Sequence, residues 1–348
     1  MKKKFILVLF FPFFLFAQIP AGYYNAAEGK QTAQLKTALY SIVSTHTQRS
    51  YGDLWTDFQT TDVRADGKVW DMYSNCNFTF GTHQDHGSGG GNECEFYNRE
   101  HSFPKSWFND AYPMYTDLFH LYPTDKKVNN VRSNYPFGEV GTATYTANNG
   151  SKLGTSNFTG YSGTVFEPIN EYKGDFARTY FYMSTCYENK KLDYESGSAM
   201  FTNAELKVWA VNLLLKWHRQ DPVSAKETNR NNAIYGIQHN RNPFIDRPEL
   251  AEYIWGNKMS EIWYQTTDVE NTKIIFSVIV QNNTLSVKTD AADLSYTIYN
   301  ITGQTLKKEN LSAEKEILLD NLRTGVYIIR LENSDLQFVD KFFISANK

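Results

Sequence analysis

Cysteine is scarce in this chain: three in 348 residues, at Cys76, Cys94 and Cys186. No second ligand pair at zinc-like spacing accompanies the few Cys and His residues, which argues against a structural zinc module. Charge of one sign is missing as well. Thirty-five Lys and Arg stand against 38 Asp and Glu, a net charge of −3. No global positive field drives nucleic-acid binding, so any such binding needs a local basic cleft on an acidic body. Past residue 17 no apolar run approaches the roughly 20 residues of a spanning helix, which predicts a soluble mature protein. A disordered composition is excluded, since aromatic residues make up 16%.

The one long apolar run lies at the start. Lys2, Lys3 and Lys4 precede Phe5 to Phe16, and Ala17 is a small residue at the expected cut, so residues 1–17 read as a secretory signal peptide. An uncleaved anchor is the alternative, although Pro12 interrupts the run and it is short for a span. Export permits disulfides, and the odd count leaves one thiol out. Cys76 and Cys94 flank a Gly-rich loop and are the expected pair. Cys186 follows FARTYFYMST in an apolar helix and reads as a buried thiol.

The densest chemistry lies between Tyr97 and Gly138. YNREHSFPKSWF places Arg99, Glu100 and His101 side by side, and DLFHLYPTDKKVNNVRSNYPFG adds Asp117, His120, Asn129, Arg132 and Asn134. Phosphodiester hydrolysis needs a base for water, a metal for the leaving oxygen and a cation for the phosphate, and this stretch holds candidates for each. Residues 96–101 read as a short strand broken by Pro104. Thr124 is the expected cap of a following helix, on which Asn129 and Arg132 share a face. Strict alternation would set Glu100 and His101 on opposite faces, so a shared site requires the strand to end or bulge at His101. Arg99 is expected to make a structural ion pair. In FGTHQDHGSGGGNE, His83, Asp85 and His86 read as solvated groups of a flexible loop.

Elsewhere Leu35, Leu39, Ile42 and Val43 predict an amphipathic helix, and residues 139–172 predict hairpins or a long loop. Phe176, Thr179, Tyr180 and Met183 line one face of another helix. Thr202-x-x-Glu205 reads as a capping box for a helix striped with Leu206, Trp209, Leu213 and Trp217, which are core positions. From residue 273 short alternating strands predict a small β-sandwich without His or Cys, reached through a linker at 266–272.

The two reactive blocks, with GDFARTYFYM (174–183) and NRNPFID (240–246), resemble the endonuclease I family of secreted nucleases. The likeness extends over residues 20–260. It implies an α+β nuclease domain, residues 18–265, with a ββα-metal (His-Me finger) site, followed by the sandwich at 273–348. It further implies His101 as general base, with Glu100 and Asn129 as ligands of one Mg²⁺; Mn²⁺ or Ca²⁺ are alternatives. Some relatives place a phosphate-gripping arginine between the two blocks. This chain has only Lys105 there, and Arg132 and Arg178 are the expected substitutes. LRTGVYIIRL (322–331) and Lys341-Phe342-Phe343-Ile344 resemble a type IX secretion sorting domain, which makes the secretion machinery a partner. The expected protein is a secreted or cell-surface monomer that cuts DNA, and RNA as a second substrate, with little sequence specificity, leaving 5′-phosphate ends. The alternative is a secreted protein that binds nucleic acid or glycan without cutting.

Overall fold

The computed structural model describes residues 19–194, 198–265, 277–281, 284–288, 294–311, 316–319, 322–333 and 337–344. The expected signal peptide, 1–17, and linker, 266–272, lie outside these residues. The chain divides into two compact units, residues 1–265 and 266–348. The first is mixed α+β and the second all β. Among the described residues no helix is long and apolar enough to cross a membrane.

In the first unit α1 (Thr32–Val43) and α2 (Leu54–Thr61) precede the strand β1 (Tyr97–His101). This strand pairs antiparallel with β2 (Leu121–Asp125), in a register that sets Glu100 against Tyr122 and His101 against Leu121. The helix α3 (Lys126–Arg132) follows β2 directly. Its cap is Asp125, not the expected Thr124: the Asp125 carboxylate accepts from the backbone N–H groups of Lys127 and Val128. An aspartate at this position meets two of the four unpaired donors and carries the charge that the helix dipole favours.

Residues 139–172 form a three-stranded antiparallel sheet, β3 (Val140–Thr146), β4 (Lys152–Ser156) and β5 (Thr164–Glu167). The helix α4 (Lys173–Cys186) crosses the centre of the unit, and all 14 of its residues are buried. The one-sided stripe expected there is therefore incomplete, because neighbours cover every face. Next comes a minimal hairpin, β6 (Phe201–Thr202) and β7 (Glu205–Leu206). It occupies the sequence expected to cap the next helix, and Glu205 pairs instead with Lys36. That helix, α5, spans Val208–Gln220 and buries Trp209, Leu213 and Trp217 as the stripe predicts. A capping box does exist one helix later: Ser224 and Glu227 cap α6 (Ala225–Gln238) reciprocally. The short helices α7 (Pro243–Asp246) and α8 (Leu250–Ile254) complete the unit.

The described residues of the second unit form seven strands: β8 (Ser277–Gln281), β9 (Thr284–Lys288), β10 (Ser295–Asn300), β11 (Thr305–Asn310), β12 (Glu316–Leu318), β13 (Gly325–Glu332) and β14 (Gln337–Ile344). They form a four-stranded sheet of order β11-β10-β13-β14 and a three-stranded sheet of order β12-β9-β8. Tyr327, Ile329 and Leu331 alternate inward along β13. They join Leu285, Val287 and Ile317 of the other sheet in one apolar cluster, as a sandwich requires.

Candidate active site

Tyr51, Asn98 to His101, Pro104 to Ser106, Asn129, Ser133 and Asn134 line a cavity of about 390 Å³ in the first unit. Strand β1 ends at His101, where the chain turns away, and Glu100 and His101 both reach this cavity. The end of the strand resolves the conflict that strict alternation posed.

Glu100 is only 3% exposed. The Tyr73 hydroxyl and Arg132 Nη1 both donate to its Oε1, each at 2.9 Å. Its Oε2 has no hydrogen bond among the described residues and is not sealed from solvent. Burial raises the carboxyl pKa, and the Arg132 charge opposes that rise. Across the cavity the side-chain amide of Asn129 makes no hydrogen bond among the described residues. An open carboxylate oxygen and an open amide oxygen on one cavity are the donor set a hard divalent cation takes, its other positions being filled by water.

His101 is 6% exposed, and its Nε2 lies 3.1 Å from the carbonyl oxygen of Tyr115. A carbonyl only accepts, so Nε2 carries the proton and Nδ1 keeps a bare lone pair. The ring stacks on Tyr115 at 5.1 Å and on Tyr51 at 6.2 Å. Burial, then the neighbouring His120, hold its pKa well below the ordinary histidine value. His120 is fully buried, and its Nε2 meets the carbonyl of Met114 at 2.6 Å. Consecutive carbonyls of one short turn thus orient the two histidines. The turn is itself held from behind: Asp117 accepts from Gln238, Tyr182, Tyr187 and the Phe119 N–H.

The two arginines expected to grip phosphate do not reach the cavity. Arg132 is 0% exposed and donates to Glu100, to the carbonyls of His101 and Ser102, and to Tyr180. Arg178 is also 0% exposed, forked onto Glu227 through Nε and Nη2. Both face inward because each sits on a helix face that the core covers. Lys105 does line the cavity, but it is paired with Asp110 at 3.0 Å. Arg99, expected in a structural ion pair, has no carboxylate within 4 Å among the described residues. Sequence reasoning missed Tyr51, Tyr73 and Tyr115. Tyr51 and Tyr73 reach the site from outside the Tyr97–Gly138 stretch, Tyr115 lies within it, and no local pattern marks any of the three.

Cys76 and Cys94 form a disulfide, and Cys186 is a buried free thiol. The bridge lies beside the start of α3, since the Cys94 N–H donates to the Asp125 carboxylate at 2.6 Å. Of the three groups expected to be solvated in the loop between the two cysteines, His86 is exposed, while His83 and Asp85 have partners. His83 accepts from the Thr79 N–H through Nδ1, and Asp85 pairs with Lys126 at 2.7 Å. The Lys126 pair ties the loop to α3, and backbone hydrogen bonds of His83 and Asp85 with Tyr97 tie it to β1.

A family model described as Endonuclease I matches residues 31–249, and one described as Secretion system C-terminal sorting domain matches residues 281–345. The chain is similar to the protein named "Extracellular ribonuclease" of Bacillus amyloliquefaciens, 37% identical over 238 residues, covering 67% of this chain and 78% of that one. A protein of the same name from Bacillus subtilis (strain 168) is 37% identical over 246 residues, with the same coverage of each. "Endonuclease-1" of Buchnera aphidicola subsp. Baizongia pistaciae is 30% identical over 130 residues, covering 37% of this chain and 46% of that one.

Proposed function

Because the chain belongs to the endonuclease I family and carries a C-terminal secretion sorting domain, we propose that it is a secreted, metal-dependent endonuclease that hydrolyses phosphodiester bonds of DNA and RNA with little sequence preference. One observation carries the reading. A histidine with a bare Nδ1, a carboxylate with an open Oε2 and an open amide line a single cavity. The relatives named extracellular ribonuclease bring RNA in beside DNA.

His101 works from its neutral form, which burial favours at neutral pH. The Tyr115 carbonyl and the rings of Tyr51 and Tyr115 hold the imidazole in place. Nδ1 accepts the proton of a water molecule as its oxygen bonds to phosphorus, and the bond from phosphorus to the 3′ oxygen breaks. The 3′ oxygen then takes a proton from solvent, and the phosphate stays on the 5′ end. A divalent cation such as Mg²⁺, held by Glu100 and Asn129, would supply charge neutralisation at the phosphate and the leaving oxygen. Arg132 and Tyr73 orient the Glu100 carboxylate while leaving one oxygen open.

The test is digestion of plasmid DNA and of RNA by the purified protein, with and without EDTA. The expected outcome is cleavage that EDTA stops and added Mg²⁺ restores. His101→Ala is expected to lower turnover about 10²–10⁴-fold with an unchanged circular dichroism spectrum. His101→Ala cleaving within a few-fold of the parent would remove the base assignment. Cleavage of neither polymer under any condition would leave the protein a binder.

A further inference from the structure

With Arg132 and Arg178 buried in the fold, the cavity needs another group to hold the anion. We infer that Arg99 is that group: its guanidinium grips a backbone phosphate of the nucleic-acid strand in the cavity. The inference rests on the nuclease reading of the site. Two cationic side chains line the cavity, and Lys105 is paired with Asp110. Arg99 has no carboxylate within 4 Å among the described residues. Its Nη1 donates to the Tyr51 carbonyl at 2.6 Å. Its Nη2 has no hydrogen-bond partner among the described residues and is not sealed from solvent.

The mounting suits that role. The guanidinium centre lies 3.5 Å from the Tyr51 ring centroid and 4.3 Å from that of Trp55. Two rings and a carbonyl hold the fork in place before anything binds, so little side-chain freedom is lost on binding. Arginine stays charged at every physiological pH, and its planar fork matches phosphate geometry. Tyr51 also stacks against the His101 imidazole. The proposed base and the proposed phosphate grip therefore share one aromatic ring. This fits a strand whose gripped phosphate is close to the one being cut.

The experiment uses the full chain carrying His101→Ala, so that substrate survives, and a fluorescein-labelled oligonucleotide. Binding is followed by anisotropy across a series of KCl concentrations. Adding Arg99→Gln, which removes the charge and keeps a polar side chain, is expected to weaken binding several-fold. It should also reduce the slope of log K against log[KCl] by about 0.7–0.9, the loss of one phosphate contact. Arg99→Lys, which keeps the charge, is expected to retain the parent slope. A purely structural role would not move that slope. Equal slopes and affinities for the parent and Arg99→Gln would overturn the proposal. So would Arg99→Lys falling to the Arg99→Gln value. No binding by the His101→Ala parent itself would overturn it together with the nuclease reading, whereas loss confined to the Arg99 comparison would leave that reading standing.

Discussion

Arg132 shows how much a single residue's surroundings decide. In the sequence it shares a helix face with Asn129 and stands as an expected substitute for the phosphate-gripping arginine of some relatives. In the fold its guanidinium is fully buried and ties Glu100 to the carbonyls of His101 and Ser102. Arg132→Met would leave a buried carboxylate without its cation and two carbonyls without a donor. Breaking such a buried pair costs about 3–5 kcal/mol, so urea unfolding should show a loss of that size. A phosphate grip would keep stability and raise KM instead. His218 gives a second prediction at this scale. Burial, and then the Arg178 charge, lower its pKa to about 4. Its unfolded value is about 6.5, so as pH falls below 6.5 the unfolded chain takes up a proton that the folded one refuses. The stability it contributes is present above pH 6.5 and is lost as pH falls toward about 4, in all roughly 3 kcal/mol. Stability measured against pH should therefore be flatter in His218→Gln than in the parent. Residue type and order singled out Glu100, His101 and Asn129 in the sequence, and the fold places all three on one cavity. Tyr51, Tyr73 and Tyr115 were not singled out, because a tyrosine announces nothing about which distant group it will touch.

At the scale of elements, β1, β2 and α3 were readable in outline from His101, Pro104 and the polar start of the helix. Their ends were harder. Thr124 and Asp125 are both good caps, but Thr124 pairs within β2 and the helix starts at Lys126, which leaves the cap to Asp125. Thr202-x-x-Glu205 has the letters of a capping box but forms a hairpin that turns at Asn203, whose φ of 52° lies in the left-handed region, and Glu205 pairs with Lys36 of α1. The Cys76–Cys94 bridge closes a loop of sequence separation 18 beside the Asp125 cap. In the chain-entropy model a loop of this size is worth roughly 3 kcal/mol. Replacing both cysteines with serine should lower stability by that amount in a thermal melt. Amide exchange should rise first in the 76–94 loop and at the start of α3. No change in either would mean that Asp125 and the Lys126–Asp85 pair hold this corner unaided.

For the whole molecule the two units have separate apolar clusters. The described residues of the second offer no His, and its core is aliphatic and aromatic. A chain ending at Gln265 is therefore expected to fold and to keep nuclease activity within a few-fold of the full chain, because a unit with its own core survives separation. The same truncation should stop export by type IX secretion, and the tail fused to an inert reporter should carry it outward. Folded but inactive truncated protein would assign the sandwich to substrate binding.

By itself the sequence determined the family, the order of the two units, the disulfide pair and the residue types of the site. Those features depend on local pattern and on ordered blocks along one chain. Tertiary structure decided which charges face the cavity. A guanidinium on a helix can serve solvent or core, and the choice depends on what packs over it. Arg132 is covered by Tyr180 of α4 and paired with Glu100 at 2.9 Å, and Arg178, on α4 itself, is paired with Glu227 of α6 at 2.5 Å. For Arg99 the cover is two aromatic rings, which shield the guanidinium without neutralising it. Burial beside a carboxylate removes a cation from binding, and burial against rings leaves its charge available.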